Sequence, residues 1–147
     1  MAIFVPYDAF LLARENGNAL DFDTGSTLKI ALVTAAYTWD QAAHDFFNDA
    51  EAAEVTGTGY TAGGEVVANK ALGVSAHVVT LTCDPVSWAQ EAGGFANATQ
   101  AILYNDTGTP STSRLVARAD LGGAQGNVDG ALTFTFTTGL FKSQIAA

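Results

Sequence analysis

"LKIALV", residues 28–33, places Leu28, Ile30 and Leu32 on one side of an extended chain, a period of two that marks a strand with one face on a core. The same alternation returns in "HVVTLTC" (77–83), through Val79, Leu81 and Cys83, and in "ALTFTFTT" (131–138), through Leu132, Phe134 and Phe136. "EVVAN" (65–69), "QAILYN" (100–105) and "RLVARADL" (114–121) read as further strands. Turn signals separate them at Gly93-Gly94, "NDTGTP" (105–110) and "GGAQGNVDG" (122–130). Short strands at this spacing predict an all-β fold, an antiparallel sandwich or barrel-like domain.

Two stretches depart from the period of two. Tyr7, Phe10, Leu11 and Arg14 follow helical spacing and Gly17 stands where a helix stops, which predicts one short amphipathic N-terminal helix over 7–15. "TWDQAAHDFFNDAEAAEV" (38–55) predicts a short helical insertion, with Thr38 or Asp40 as its cap, Phe46 and Phe47 packed inward and the acids facing water. No repeat or linker divides the chain, so residues 1–147 read as one domain, with residues 1–5 as an extended N-terminal arm.

Composition bounds the function. With 48% hydrophobic and 14% charged residues the chain has material for a real core. Its 6 Lys plus Arg against 15 Asp plus Glu give a net charge of -9, which repels nucleic-acid phosphates and anionic membranes. The N-terminus lacks a basic segment and its apolar run is broken by Pro6, Asp8 and Arg14, so it reads neither as a signal peptide nor as a membrane span, and the expected site of synthesis is the cytoplasm. A single cysteine, Cys83, excludes an intrachain disulfide and reads as a small buried apolar residue.

Several motifs invite a chemical reading. "EVTGTGYTAGGEVVANK" (54–70) contains the spacing of a dinucleotide loop in Gly57, Gly59 and Ala62, but a strand rather than a helix follows it. Counted from Gly59 as a phosphate-binding loop, it puts Glu65 where lysine is required. A structural turn is the favoured reading. Asp23-Thr24-Gly25-Ser26 resembles an aspartic-protease signature, whose chemistry needs a second carboxylate from a second motif or a homodimer. No second Asp-Thr-Gly exists, so a dimeric protease using Asp23 is the remote alternative to a polar turn. Asp40, Asp45, Asp49, Glu51 and Glu54 cluster around His44 without a calcium-loop glycine, and His44 and His77 stand in no metal or catalytic pattern. Trp39, Trp88, Tyr37, Tyr60 and Tyr104 would suit either a sugar site or the closure of a β core, with the core favoured. The sequons at Asn97 and Asn105 carry meaning only in a secreted protein. No catalytic, cofactor or metal residue is assigned.

Taken in order, "LKIALVTAAYTWDQAAHDFF", "EVTGTGYTAGGEVVANK", the tryptophan of "CDPVSWA" and "AILYNDTGTPSTSRLVARADLGG" resemble a family of small structural proteins encoded by tailed bacteriophages. The likeness spans Tyr7 to Gly123, and the joint order is more specific than any one piece. It implies a non-enzymatic virion component, foremost a capsid decoration or cement protein that binds the major capsid protein and itself, with a homotrimer expected. A tail or receptor-binding component with a carbohydrate-binding surface is the alternative. Candidate interface residues follow. Ile3, Phe4 and Val5 precede Pro6 and either add as a strand to a partner or cover the domain's own core. Phe46 and Phe47 form either an interface ridge or core. Arg114 and Arg118, read as sharing a strand face with Val116 and Asp120, pair either across a subunit boundary or with the acidic segment.

Overall fold

The structure is a computed structural model that describes residues 4–17, 20–22, 24–76, 78–136 and 139–144. Among the described residues ten strands follow in chain order: β1 (Val5–Pro6), β2 (Leu28–Val33), β3 (Glu65–Val66), β4 (Ala71–Ser75), β5 (Val78–Thr82), β6 (Val86–Trp88), β7 (Ala98–Asn105), β8 (Leu115–Gln125), β9 (Leu132–Phe134) and β10 (Phe141–Gln144). One α-helix, α1 (Asp8–Glu15), lies between β1 and β2. All pairings are antiparallel. A five-stranded sheet has the order β1-β8-β7-β2-β3, and two smaller sheets have the orders β10-β5-β4 and β6-β9. The fold is thus the expected all-β, sandwich-like arrangement, and no barrel closes among the described residues.

The larger core fills the space between the five-stranded sheet and the smaller sheets. Leu28, Ile30 and Leu32 of β2, Ala101 and Leu103 of β7 and Ala117 and Ala119 of β8 meet Leu81, Val86, Trp88 and Phe95, with Phe10 of α1 in the same cluster. Each large side chain buried this way contributes about 1.5–3 kcal/mol. Helix α1 stops at Asn16, and Gly17 continues the chain with φ +79. None of the described helices is long and apolar enough to cross a membrane.

The alternate positions of the central strands are buried as well. Ala31 and Val33 of β2 and Ile102 and Tyr104 of β7 form a second core with Tyr7, Tyr37, Phe47, Ala50 and Leu115. The cover on this face is the segment after β2. Asp40 accepts from the N–H groups of Ala42 and Ala43, as a cap does, and the Asp49 carboxylate accepts from the N–H groups of Asp45 and Phe46. The insertion is two short 3-10 turns, Phe47–Asp49 and Glu51–Ala53, rather than an α-helix. Side chains sew it down. Tyr7 and Tyr37 share a buried hydrogen bond of 2.9 Å, Tyr37 Oη lies 2.8 Å from His44 Nδ1, and Gln100 donates to the Tyr37 carbonyl.

Glycine-rich loops close the end of the sandwich around Asn127, which is fully buried. Its Oδ1 accepts from Phe95 N–H at 2.9 Å, and its Nδ2 donates to the carbonyls of Ala89 at 2.8 Å and Thr58 at 3.3 Å. A Cβ on Gly94 would collide with Asn127 Oδ1, and one on Gly57 would lie 2.7 Å from the Gly94 carbonyl carbon. The two glycine runs are therefore packed backbone to backbone with one amide between them. Asn127→Ala is expected to lower stability by about 2–3 kcal/mol, because it strands a buried N–H and two carbonyls. Asn127→Asp should cost at least as much, since a carboxylate would face the Thr58 and Ala89 carbonyls. Urea unfolding with an unchanged slope checks both.

Candidate functional site

The motifs that carry the resemblance converge on a cleft of about 310 Å³, lined among others by Lys29, Phe47, Glu54, Gly63, Tyr104 and Asp106. Glu54 bridges to Val33 through its backbone, which sets its side chain against the edge of β2. Its Oε1 accepts from Tyr60 Oη–H at 2.6 Å and from Gly63 N–H at 2.9 Å. Tyr60 Oη in turn accepts from Leu32 N–H at 3.0 Å, and Tyr104 Oη–H donates to the Gly63 carbonyl at 2.7 Å. Lys29 Nζ pairs with Asp106 at 2.7 Å, and Asp106 also accepts from Gly108 N–H at 2.9 Å. Phe47 stacks on the Tyr104 ring at 4.1 Å between centroids, flooring the cleft.

Electrostatics follow from this geometry. Burial pushes the Glu54 carboxyl above its ordinary value, against the hydrogen bonds from Tyr60 and Gly63 that favour its ionised form. Burial likewise raises the phenols of Tyr60 and Tyr104. The hydrogen bond from Lys29 holds Asp106 below the usual carboxylate range. The carboxylate of Glu54 occupies the Gly63 N–H that a phosphate loop would offer, and the loop runs into β3, a strand. A glycine is required at position 64, where φ is +74 and a Cβ would sit on the Ile30 carbonyl. The cleft is built as a clasp that ties the glycine loop, β2 and β7 together.

The residues singled out in the sequence lie apart. Ile3 is outside the described residues, as are Asp23 and His77. Phe4 packs on the larger core with its ring 6.4 Å from that of Phe136, and Val5 pairs opposite Arg118 as the edge strand β1. From Phe4 onward the arm folds back on its own domain. Phe47 is core, while Phe46 is half-buried with the Arg114 guanidinium 5.0 Å above its ring. Arg118 lies over Trp39 at 4.7 Å, donates to Gln100 and pairs with Asp120 at 2.8 Å. The register of β8 against β7 skips Val116, which therefore joins Ala117 and Ala119 in the larger core instead of sharing a face with Arg118. The Asp21 carboxylate accepts from the Thr24 N–H and hydroxyl.

Of the acidic cluster, Asp40 and Asp49 cap turns and Glu54 accepts from Tyr60 and Gly63, and among the described residues no three His, Cys, Asp or Glu side chains gather as metal ligands. Trp88, Tyr37 and Tyr104 are buried, and Trp39 and Tyr60 are half-buried under neighbours, so these rings serve as core. Cys83 is half-buried against the larger core, and burial pushes its thiol up to about 11, which makes it a poor nucleophile at neutral pH.

One surface escaped the sequence pattern. Strand β4 pairs with β5 as a hairpin, and all five β4 residues are exposed. Gly73 at its centre hides the alternation, and the stretch adjoins no strong turn dipeptide; the signal that remained was the absence of any charged residue over 71–83. Leu72 and Val74 share a face with Leu81 and Val79, so an apolar stripe runs from buried Leu81 out to Val74, which is 74% exposed.

Comparison of the chain with protein-family models, curated proteins and solved structures returned no match.

The two carboxyls of the cleft should act on stability with opposite sign. Glu54 has a folded value above its unfolded one, so the native state binds more protons between them, and its contribution is present at low pH and lost as pH rises through the raised value. Glu54→Gln, which keeps an acceptor for Tyr60 and Gly63, should therefore gain on the native chain between about pH 4 and about pH 8. Asp106, held low, stabilises above its ordinary value and loses that contribution as pH falls below it, so Asp106→Asn should lose on the native chain as pH rises from about 2 to about 5. Urea midpoints at both ends of each range read each sign.

Proposed function

We propose that this protein is a non-enzymatic structural component of a tailed-bacteriophage virion, a capsid decoration or cement protein that binds the major capsid protein lattice and stabilises the head. The observation that carries the reading is the clasp. Glu54, Tyr60 and Gly63 of the glycine segment, Lys29 of the first long strand and Tyr104 and Asp106 of the last motif are the residues that bear the resemblance, and they use their polar atoms on one another. Residues with that role hold a shape. A shape repeated in many copies is what a cement supplies, since weak contacts spanning capsomer joints become strong through multivalency. The net charge of -9 fits work on an outer shell better than contact with packaged nucleic acid.

Copy number tests the reading. Quantitative mass spectrometry of purified virions should find this chain at a ratio near one per major capsid subunit, and purified protein should bind empty heads in stoichiometric amounts. A few copies per particle would replace cement by a tail component, and absence from particles would remove the virion reading altogether.

A further inference from the structure

The edges of the five-stranded sheet are blunted in ways that natural sheets use against unwanted pairing: β1 is two residues long and ends on Pro6, and β3 is two residues long and carries Glu65. Edge strand β4 has none of these devices. Ala71-Leu72-Gly73-Val74-Ser75 holds no charge, proline or bulge, and its outer side has no strand partner among the described residues. Three of the five exposed large apolar side chains, Leu72, Val74 and Val79, sit on this one hairpin, among the described residues. We infer that the outer edge of β4 is a self-association surface, on which a second copy of this chain docks antiparallel about a two-fold axis at Gly73.

Charge selects the occupant. The chain carries -9, so most of its surface repels another copy, but between Glu65 and Asp84 there is no acid and the only charge is Lys70. Two copies therefore approach each other here at least electrostatic cost, while a basic partner would find nothing to pair with and would be drawn to the acids elsewhere. The strand is also self-complementary. With Gly73 opposite Gly73 of the second copy, Leu72 falls opposite Val74, Val74 opposite Leu72, and Ala71 opposite Ser75. Each exposed apolar side chain meets another, and the stripe that starts at buried Leu81 becomes continuous across the axis. At the axis Gly73 leaves open space, since a Cβ there would meet nothing. An antiparallel pair formed in this way is a two-fold contact, not the three-fold one that the resemblance implies, and it stands on the hairpin independently of the virion reading. Five residues of edge make a small interface, below the roughly 1,200 Å² of standard ones, so the pair forms at micromolar concentrations or above.

Sedimentation velocity of the full chain from about 5 µM to about 500 µM should show a monomer–dimer equilibrium, and Val74→Lys should weaken it by about tenfold or more while leaving the thermal midpoint unchanged, because Val74 is exposed. Register is read separately in a Cys83→Ser background. Directly opposed antiparallel residues lie about 4.5–5.5 Å apart, within disulfide reach, so Gly73→Cys should form a disulfide-linked dimer on mild oxidation while Ser75→Cys should not. A chain that stays monomeric across the range, or associates equally well with Lys at position 74, overturns the inference. Equal cross-linking of the two cysteine variants overturns the axis at Gly73.

Discussion

The structure depends on a pair of strands, β2 and β7, that are buried on both faces. A strand pair in that position requires a cover on each side, because most of its side chains are withdrawn from water and its backbone groups must all find partners. On one side the smaller sheets supply the cover through Leu81, Trp88 and Phe95. On the other the chain has no sheet left to use, and the 34–53 segment lies flat across Ala31, Val33, Ile102 and Tyr104 with Tyr37, Phe47 and Ala50 as its apolar contacts. Irregular backbone over a core needs its own hydrogen bonds satisfied, and the acids at 40 and 49 do this by accepting from nearby N–H groups.

The clasp around Glu54 follows from the same demand. Where the covering segment returns to the edge of β2, a carboxylate receives a phenol and a glycine N–H, and the phenol also takes the Leu32 N–H. That arrangement holds a partly buried acid through neutral donors, and burial leaves its pKa raised. The glycines are the geometric counterpart of the side chains: Gly64 lets the loop lie on β2, while Gly57 and Gly94 let two loops touch around Asn127. A motif rich in glycine and threonine thereby works as a fastening, and its resemblance to nucleotide loops is a consequence of sharing tight turns with them.

Function and fold meet at the surface. The interface candidates among the described residues have intramolecular partners: Phe4 and Val5 on the body of the domain, Phe47 on Tyr104, Arg114 on Phe46 and Arg118 on Trp39 and Asp120. Three of the five exposed large apolar side chains among the described residues lie on the β4–β5 hairpin, whose edge strand β4 is exposed along its whole length. For an acidic chain this is the place where contact with another copy of itself meets least repulsion.

The sequence by itself determined the all-β class, the N-terminal helix and its stop, the strand rather than helix after the glycine loop, and a cap at Thr38 or Asp40, of which the structure uses Asp40. These are local matters, decided by side-chain period, by glycine φ and by the residues next in line. Tertiary structure decided the rest. That β2 is buried twice over depends on where residues 34–53 fold, and alternation in "LKIALV" cannot report it, because alanine and valine fit either a wet face or a dry one. Asn127 reads as an ordinary turn residue until the three loops it joins are brought together. The register slip that turns Val116 inward exists only against β7, and β4, with a glycine at its centre and no buried side, becomes a strand only because β5 pairs with it.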